Sequence, residues 1–321
     1  FIFCLLALFG PWEGRVSTRS FVSKLLFSVG VYLLSTIPQF VVIATDLQSD
    51  ATFDNLAPMA RLLALVKANG SYHALIYGIM TLGFLVWFLG PLFYRLLRRQ
   101  KLDEEFKDKT LRGGYILIFA TMAGLASMGK GLLGFALPGA VVFAYFLVTK
   151  QWWLLRVFTI PRTILAFLTV VLPWYVAMFV KHGNAFYTRF FVHDHFNRLG
   201  TGVHQIDSGS FEHFLKWLGI GMYPWVALVP FVLLLAAGIR LSLKSRDNQF
   251  KLFVFLWFFI SFLLFTLAKT KFHHYIFPAL PPMAILIGKA IAEHVKRPSF
   301  AARIGAVLAI GIFIGVTYNL S

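Results

Sequence analysis

Long apolar stretches recur along nearly the whole chain, and this feature restricts the fold more than any other. Nine of them are long enough to cross a bilayer as helices. They are predicted at 24–46, 73–96, 113–129, 131–149, 163–180, 217–239, 252–268, 275–292 and 303–320. The chain of 321 residues is 59% hydrophobic and 13% charged, which is too apolar for soluble cores of this size. The sequence therefore predicts an all-α polytopic integral membrane protein.

The chain opens with a shorter apolar stretch, FIFCLLALFG, which is about half the length needed to cross a bilayer. We predict that it is the end of a truncated helix, and that the chain is a fragment lacking its N-terminal helices and first outer loop. A secretory signal peptide is the alternative, although the stretch has no basic region before it and no small-residue cleavage site. No linker or low-complexity tract interrupts residues 1–321, so a single integral-membrane domain is predicted.

Basic residues are distributed unequally between alternate predicted loops, with twenty on one side of the membrane and nine on the other. Cytoplasmic loops are the more basic ones. The loops predicted to face outward are therefore those near 47–72, 130, 181–216 and 269–274. The net charge of +17 follows this loop pattern, so no nucleic-acid partner is expected. Eight of the nine histidines lie on or beside the outer side, which favours a site there.

One strongly charged stretch, LRRQKLDEEFKDKTLRGG at 97–114, lies between two predicted spans. Mixed charge of this kind is typical of a solvated connector between helices, and a cytoplasmic connector is predicted. Contact with lipid headgroups is the alternative.

The outer loop 181–216 combines aromatic residues, cations and histidines. Its aromatic residues recur at near-helical spacing and predict an amphipathic helix at the outer interface; they are Phe186, Tyr187, Phe190, Phe191 and Phe196. Arg198 can bind a phosphate with paired donors, and interfacial snorkelling is the alternative. His193, Asp194 and His195 suggest metal ligands, but alternate positions on a helix face different ways. Polar packing or hydrogen bonds to a sugar or acceptor are preferred, and no metal site is predicted.

Two further segments place cations on the outer side. Lys271 lies four residues before Tyr275, at the predicted membrane edge, where a phenol can donate to a phosphate and its ring can contact a lipid chain. The prolines that follow predict a kinked or late-starting span. Lys130 interrupts a long apolar run, and it is either the tip of a helical hairpin or a second cation for the same phosphate.

Five segments occur in a fixed order and carry a resemblance to a known family. They are KGLLGFALPG at 130–139, PWY at 173–175, FFVHDHFNR at 190–198, YPW at 223–225 and KFHHYIFPALPPMAIL at 271–286. Together they resemble the bacterial polyprenyl-phosphate-sugar glycosyltransferases of the GT-C superfamily, which include protein O-mannosyltransferases and the lipid A aminoarabinose transferase. The resemblance covers about residues 113–295 and is much weaker before them.

The resemblance implies that a sugar moves from a polyprenyl-phosphate carrier to a lipid or protein hydroxyl at the periplasmic face of the bacterial inner membrane. It assigns the lipid phosphate to Arg198, Lys271 and Tyr275, while Lys130 matches a Lys-Gly motif without a firm role. No cofactor is certain, and a divalent metal is left open. The partners expected are the bilayer, the carrier and the acceptor.

The resemblance also implies an acidic base in the first outer loop, and its Asp-Glu motif has no convincing copy in this chain. Asp46, Asp50 and Asp54 are weak candidates because only their chemistry qualifies them. We prefer a base that lies outside the chain, in which case the chain alone would be inactive. Two other functions stay open: a lipid-linked-sugar flippase or other transporter, and a non-catalytic scaffold that binds an anionic lipid.

Overall fold

The computed structural model describes residues 1–10, 16–47, 57–61, 64, 69–152, 160–197, 211–237, 245–268, 272–296 and 300–320. These ranges are helical and contain no strand. The α-helices are α1 (Ile2–Phe9), α2 (Thr18–Asp46), α3 (Gly70–Leu97), α4 (Glu104–Lys130), α5 (Leu133–Thr149), α6 (Ile160–His182), α7 (Phe211–Gly221), α8 (Val229–Ala237), α9 (Arg246–Leu267), α10 (Leu280–Lys296) and α11 (Phe300–Leu320). A single turn at Asn184–Phe186 and a π-helix at Tyr187–Asn197 follow α6, and 3₁₀-helices at Trp225–Leu228 and His273–Ala279 precede α8 and α10.

The helices confirm the predicted polytopic membrane fold. Seven described helical segments are long and apolar enough to cross a membrane, and the last-but-one of these, His273–Glu293, joins the second 3₁₀-helix to α10. The chain bends by 110° between helix α7 and the helical segment Trp225–Leu234. These two segments would count as an eighth span if they cross the membrane as one unit. The apolar helix α5 is shorter, at 17 residues. Each of the nine predicted stretches thus corresponds to a described helix or bent pair.

The described helices form two compact units, and the predicted single domain stays a prediction. The first unit comprises residues 1–136 and 152–192, and the second comprises 137–151 and 193–321. The core of the first unit consists of apolar side chains from α2, α3, α4 and α6, including Phe21, Tyr32, Phe84, Leu117 and Val170. Within it the Tyr32 hydroxyl and the Thr169 hydroxyl lie 2.7 Å apart and share a hydrogen bond. This pairing matters because lipid offers no partner to a polar group inside a span.

Several glycines allow close helix packing in the first unit, and Gly124 and Gly134 are two of them. A Cβ on Gly124 would lie 2.9 Å from Val170 Cγ1, and a Cβ on Gly134 would overlap the backbone of Ala126. Small residues at these positions let the helices approach, as in many membrane bundles. The tip between α4 and α5 is also formed as predicted, since α4 ends at Lys130 and Gly131 has a φ of 66°.

The charged stretch at 97–114 is predicted to be a solvated connector, but part of it is helical and makes ordered contacts. Asp103 caps α4 by accepting from the Phe106 amide at 2.8 Å, so the helix begins at Glu104, nine residues before the predicted span. The Lys107 ammonium is buried and donates to Glu104 Oε1 at 2.9 Å and to the Val16 carbonyl at 3.1 Å. The other Glu104 oxygen accepts from the Val16 amide at 3.0 Å. These charges hold the start of α4 against the segment that precedes α2.

In the second unit, four charges join the start of α9 to the end of α10. The buried Lys251 pairs with Asp247 at 2.7 Å and with Glu293, while Lys289 pairs with Asp247. Lys289, which falls inside a predicted span, is thereby neutralised by a carboxylate from the neighbouring helix. Lys251, which is one of the basic residues counted on the predicted cytoplasmic side, therefore also connects two helices.

Candidate functional site

Tyr275 lies in the 3₁₀-helix His273–Ala279, immediately before α10. Its half-buried ring lies 5.5 Å from that of Phe265 and 4.9 Å from that of His274. Pro278 lies inside the 3₁₀-helix, and α10 begins only at Leu280. Since proline lacks an amide proton, the chain enters the α-helix late. The predicted late-starting span is confirmed, and it places Tyr275 at the end of α10 that is predicted to face outward.

Helix α7 brings an indole and an imidazole to the same region. The Trp217 ring lies 5.0 Å from that of His273 and 6.4 Å from that of His213. His273 in turn lies 5.4 Å from His274. We call these four residues, together with Tyr275, the His-Trp-Tyr cluster. The sequence assigned three of them to the outer side as isolated histidines and did not single out Trp217, whose signal is its i+4 spacing from His213 on an apolar helix.

Part of the 181–216 loop is helical as predicted, and the helix is a π-helix at Tyr187–Asn197. Its position at the outer interface stays a prediction. Its aromatic side packs on α6, where the Trp174 ring lies 5.8 Å from the rings of Phe186 and Phe190. Tyr175 anchors this contact, because its hydroxyl donates to the Ser127 carbonyl at 3.1 Å. The aromatic residues therefore form a packed platform in addition to any contact with lipid headgroups.

His193 and Asp194 form a pair in this π-helix. His193 Nδ1 and Asp194 Oδ1 lie 3.2 Å apart. Both side chains are partly exposed, so the pair remains accessible to a ligand. Among the described residues, no group of three His, Cys, Asp or Glu side chains could hold a metal ion.

The remaining predicted residues fall into two groups. Lys130 is exposed at the end of α4, and Asp46 is exposed at the end of α2, where its Oδ1 lies 3.2 Å from the Thr45 hydroxyl. The other predicted positions lie outside the described residues; they are Asp50, Asp54, Arg198 and Lys271. The backbone of His195 is described but its side chain is not.

Comparison with curated proteins identifies several relatives. Three are named undecaprenyl phosphate-alpha-4-amino-4-deoxy-L-arabinose arabinosyl transferase. The protein from Edwardsiella ictaluri is 30% identical over 63% of this chain and 35% of its own length. That from Pseudomonas aeruginosa is 28% identical over 66% and 37%, and that from Proteus mirabilis is 31% identical over 60% and 33%. No family model matches the chain.

A solved structure is similar to nearly the whole chain. It is the crystal structure of ArnT from Cupriavidus metallidurans bound to undecaprenyl phosphate, which is 25% identical and superposes with a TM-score of 0.52. The match covers 91% of this chain and 48% of ArnT. The chain is related to the aminoarabinose transferases. The predicted resemblance to polyprenyl-phosphate-sugar glycosyltransferases is thereby confirmed.

The chain spans about a third of the length of the curated arabinosyl transferases that it matches, and about half of ArnT. The similarity to ArnT extends over more of the chain than the region of about 113–295 that carries the sequence resemblance. The chain is a multi-pass membrane protein related to these transferases.

Proposed function

We propose that this chain forms the donor-binding part of a membrane glycosyltransferase that takes a sugar from a polyprenyl-phosphate carrier. The observation that carries the proposal is the similarity to ArnT, solved with undecaprenyl phosphate bound, over 91% of the chain. The arabinosyl transferase relatives support the same reaction class. A lipid such as lipid A, or a protein hydroxyl, would accept the sugar.

In the proposed reaction, the main requirement is to stabilise the lipid phosphate as it leaves. An acceptor oxygen attacks the anomeric carbon, the bond from that carbon to the phosphate oxygen breaks, and the lipid phosphate leaves with the electron pair. The hydroxyl proton passes to a base. Because negative charge grows on the phosphate as the bond breaks, positioned donors and cations lower the barrier more than they stabilise the intact donor.

Tyr275 is the described residue that best fits this requirement. Packing against Phe265 and His274 fixes its ring, so the hydroxyl can donate to a phosphate oxygen with little loss of side-chain entropy. We assign Lys271 and Arg198 to the same phosphate because of their charge and their positions in the resembling motifs. The exposed ammonium of Lys130 is a further candidate cation, supported by the Lys-Gly motif.

The base and the acceptor contacts follow from the same proposal. Asp46 is exposed and chemically eligible as a base, as are Asp50 and Asp54, although a carboxylate outside this chain fits the motif pattern better. The accessible His193 and Asp194 pair, with His195, is assigned to hydrogen bonds with the sugar or acceptor. We place the reaction at the periplasmic face of the bacterial inner membrane, in keeping with the loop charges and with the bacterial relatives.

Transfer of a radiolabelled sugar tests the proposal. The donor is a polyprenyl-phosphate aminoarabinose, and the acceptors are lipid A and membrane protein. We expect label to reach lipid A when the protein extended at its N-terminus is used. Label transferred by this chain alone would place the base on Asp46, Asp50 or Asp54.

Absence of transfer by either form would contradict the enzyme proposal. Movement of intact donor across a vesicle membrane would then support a transporter, and binding of donor without movement would support a scaffold.

A further inference from the structure

The His-Trp-Tyr cluster contains other aromatic rings besides that of Tyr275, the residue proposed to bind the phosphate. Between Trp217 and Tyr275 the rings run in sequence through His273 and His274, and neighbouring centroids lie 5.0, 5.4 and 4.9 Å apart. All of these residues belong to the second compact unit. A continuous row of rings therefore extends from the proposed phosphate residue to helix α7.

Helix α7 is anchored by other side chains than Trp217. Phe214 is completely buried and Leu218 is 4% exposed, and both face the interior of the unit. Gly221 at the end of the helix would place a Cβ within 3.4 Å of Leu280. Trp217 is only partly buried, and its partner His273 is exposed. The indole and imidazole therefore keep solvent-accessible surface, while Phe214 and Leu218 hold the helix in place.

An indole beside an imidazole is suited to a sugar ring. One face of a pyranose consists mainly of C–H bonds, which pack on the flat apolar face of tryptophan. An imidazole can donate to or accept from a ring hydroxyl, depending on its tautomer. Ligand sites commonly combine aromatic walls with a few polar groups in this way.

We infer that Trp217 and His273 form the platform that binds the sugar of the polyprenyl-phosphate donor, which makes Trp217 a specificity-determining residue. The inference rests on the proposed function, because it places the sugar beside a phosphate held at Tyr275. With the phosphate at Tyr275, the sugar joined to it extends along the row of rings toward the indole. The platform binds the carbohydrate and leaves the lipid phosphate to other residues.

Equilibrium binding of two ligands tests this inference. One ligand is a polyprenyl-phosphate sugar and the other is the same polyprenyl phosphate without the sugar, each titrated into the full-length protein in lipid nanodiscs. Trp217→Ala is expected to weaken binding of the sugar-linked ligand about tenfold and to leave binding of the bare phosphate unchanged. Trp217→Phe, which keeps an aromatic face, should restore most of the affinity.

If Trp217→Ala folds poorly, a second variant and a control variant still test the inference. His273→Ala, at an exposed position, should show the same selective loss for the sugar-linked ligand. Trp225→Ala is the control. It removes an indole that is 58% exposed and lies in Trp225–Leu234, the segment that follows α7. The affinities for the sugar-linked ligand and for the bare phosphate should both stay unchanged.

Two results would overturn the inference and are distinguishable from failure of the proposed function. Equal weakening of both ligands by Trp217→Ala and His273→Ala would show that these residues only support the fold. Unchanged binding of both ligands by these variants would show that the sugar lies elsewhere. A wild-type protein that binds neither ligand would contradict the proposed function itself, and the platform with it.

Discussion

The Tyr275 hydroxyl can be removed without disturbing the packing of its ring. Tyr275→Phe keeps the contacts with Phe265 and His274. It deletes the hydrogen bond that we propose between Tyr275 and the charged phosphate, and a hydrogen bond to a charged group is worth about 1.5–3 kcal/mol. We expect kcat/KM for sugar transfer to fall about 10- to 100-fold, measured with the polyprenyl-phosphate donor.

The control for this prediction is Tyr72→Phe, at a tyrosine that is 48% exposed near the start of α3. It should leave transfer unchanged. If Tyr275→Phe retains full turnover, the assignment of Tyr275 to the phosphate site is wrong.

Lys107 is the buried cation whose loss should cost the most stability in the first unit. Lys107→Met leaves the Val16 carbonyl without this donor and Glu104 without its cation. The cost is about 1–3 kcal/mol, seen as a lower midpoint of thermal unfolding in detergent. Lys109→Met, at an exposed lysine two residues away, is the matched control and should behave as wild type. If Lys107→Met and Lys109→Met unfold at the same temperature, the contact between Lys107 and Val16 does not contribute to the stability of the protein.

The contact between helix α4 and the start of helix α5 depends on Gly134. A methyl group there would overlap the backbone of Ala126, which cannot move aside as a flexible side chain can. Gly134→Ala is therefore expected to destabilise the protein by about 1–3 kcal/mol in an unfolding assay. Gly139→Ala in the same helix meets nothing within 4 Å and should be neutral or slightly stabilising. Equal effects of the two substitutions would contradict the packing described for α4 and α5.

The N-terminal cap of α4 gives a pH dependence of known sign. Hydrogen bonds from Arg95 and from the Phe106 amide lower the pKa of the exposed Asp103 carboxyl below its ordinary value of 3.8. A carboxyl with a lowered pKa in the folded state stabilises the protein above its ordinary pKa. That contribution is lost as the pH falls below 3.8 through the lowered value.

Asp103→Asn is the variant that tests this pH dependence. It keeps a capping side chain and removes the charge. The difference in melting temperature between wild type and variant should shrink as the pH falls from 6 toward about 3. A difference that is constant with pH would show that the Arg95 pair is not responsible.

The beginnings of two spans illustrate what hydropathy can and cannot predict. It finds the apolar centres of α4 and α9 but places their starts at 113 and 252, whereas the helices begin at Glu104 and Arg246. The missing turns contain Lys107 and Lys251, which a hydropathy window excludes as charged. Both are buried against carboxylates, so the helix continues where composition alone predicts a loop.

Across the molecule, sequence motifs predicted the relatives of the chain and the late-starting span that carries Tyr275, while the contact between Trp217 and His273 required the structure. The motifs report residues at fixed spacing within one segment. Trp217 and His273 are 56 positions apart in the sequence and come together only because α7 packs against the 3₁₀-helix. Contacts between distant segments of this kind are what the sequence alone does not reveal.

We propose that the sugar leaves its carrier phosphate on this protein. The most direct measurement is the amount of polyprenyl phosphate released per sugar transferred to lipid A, followed with doubly labelled donor and the N-terminally extended protein. A transferase predicts one carrier phosphate released for each sugar transferred. Donor that crosses the membrane or stays bound with both labels still joined would contradict the claim.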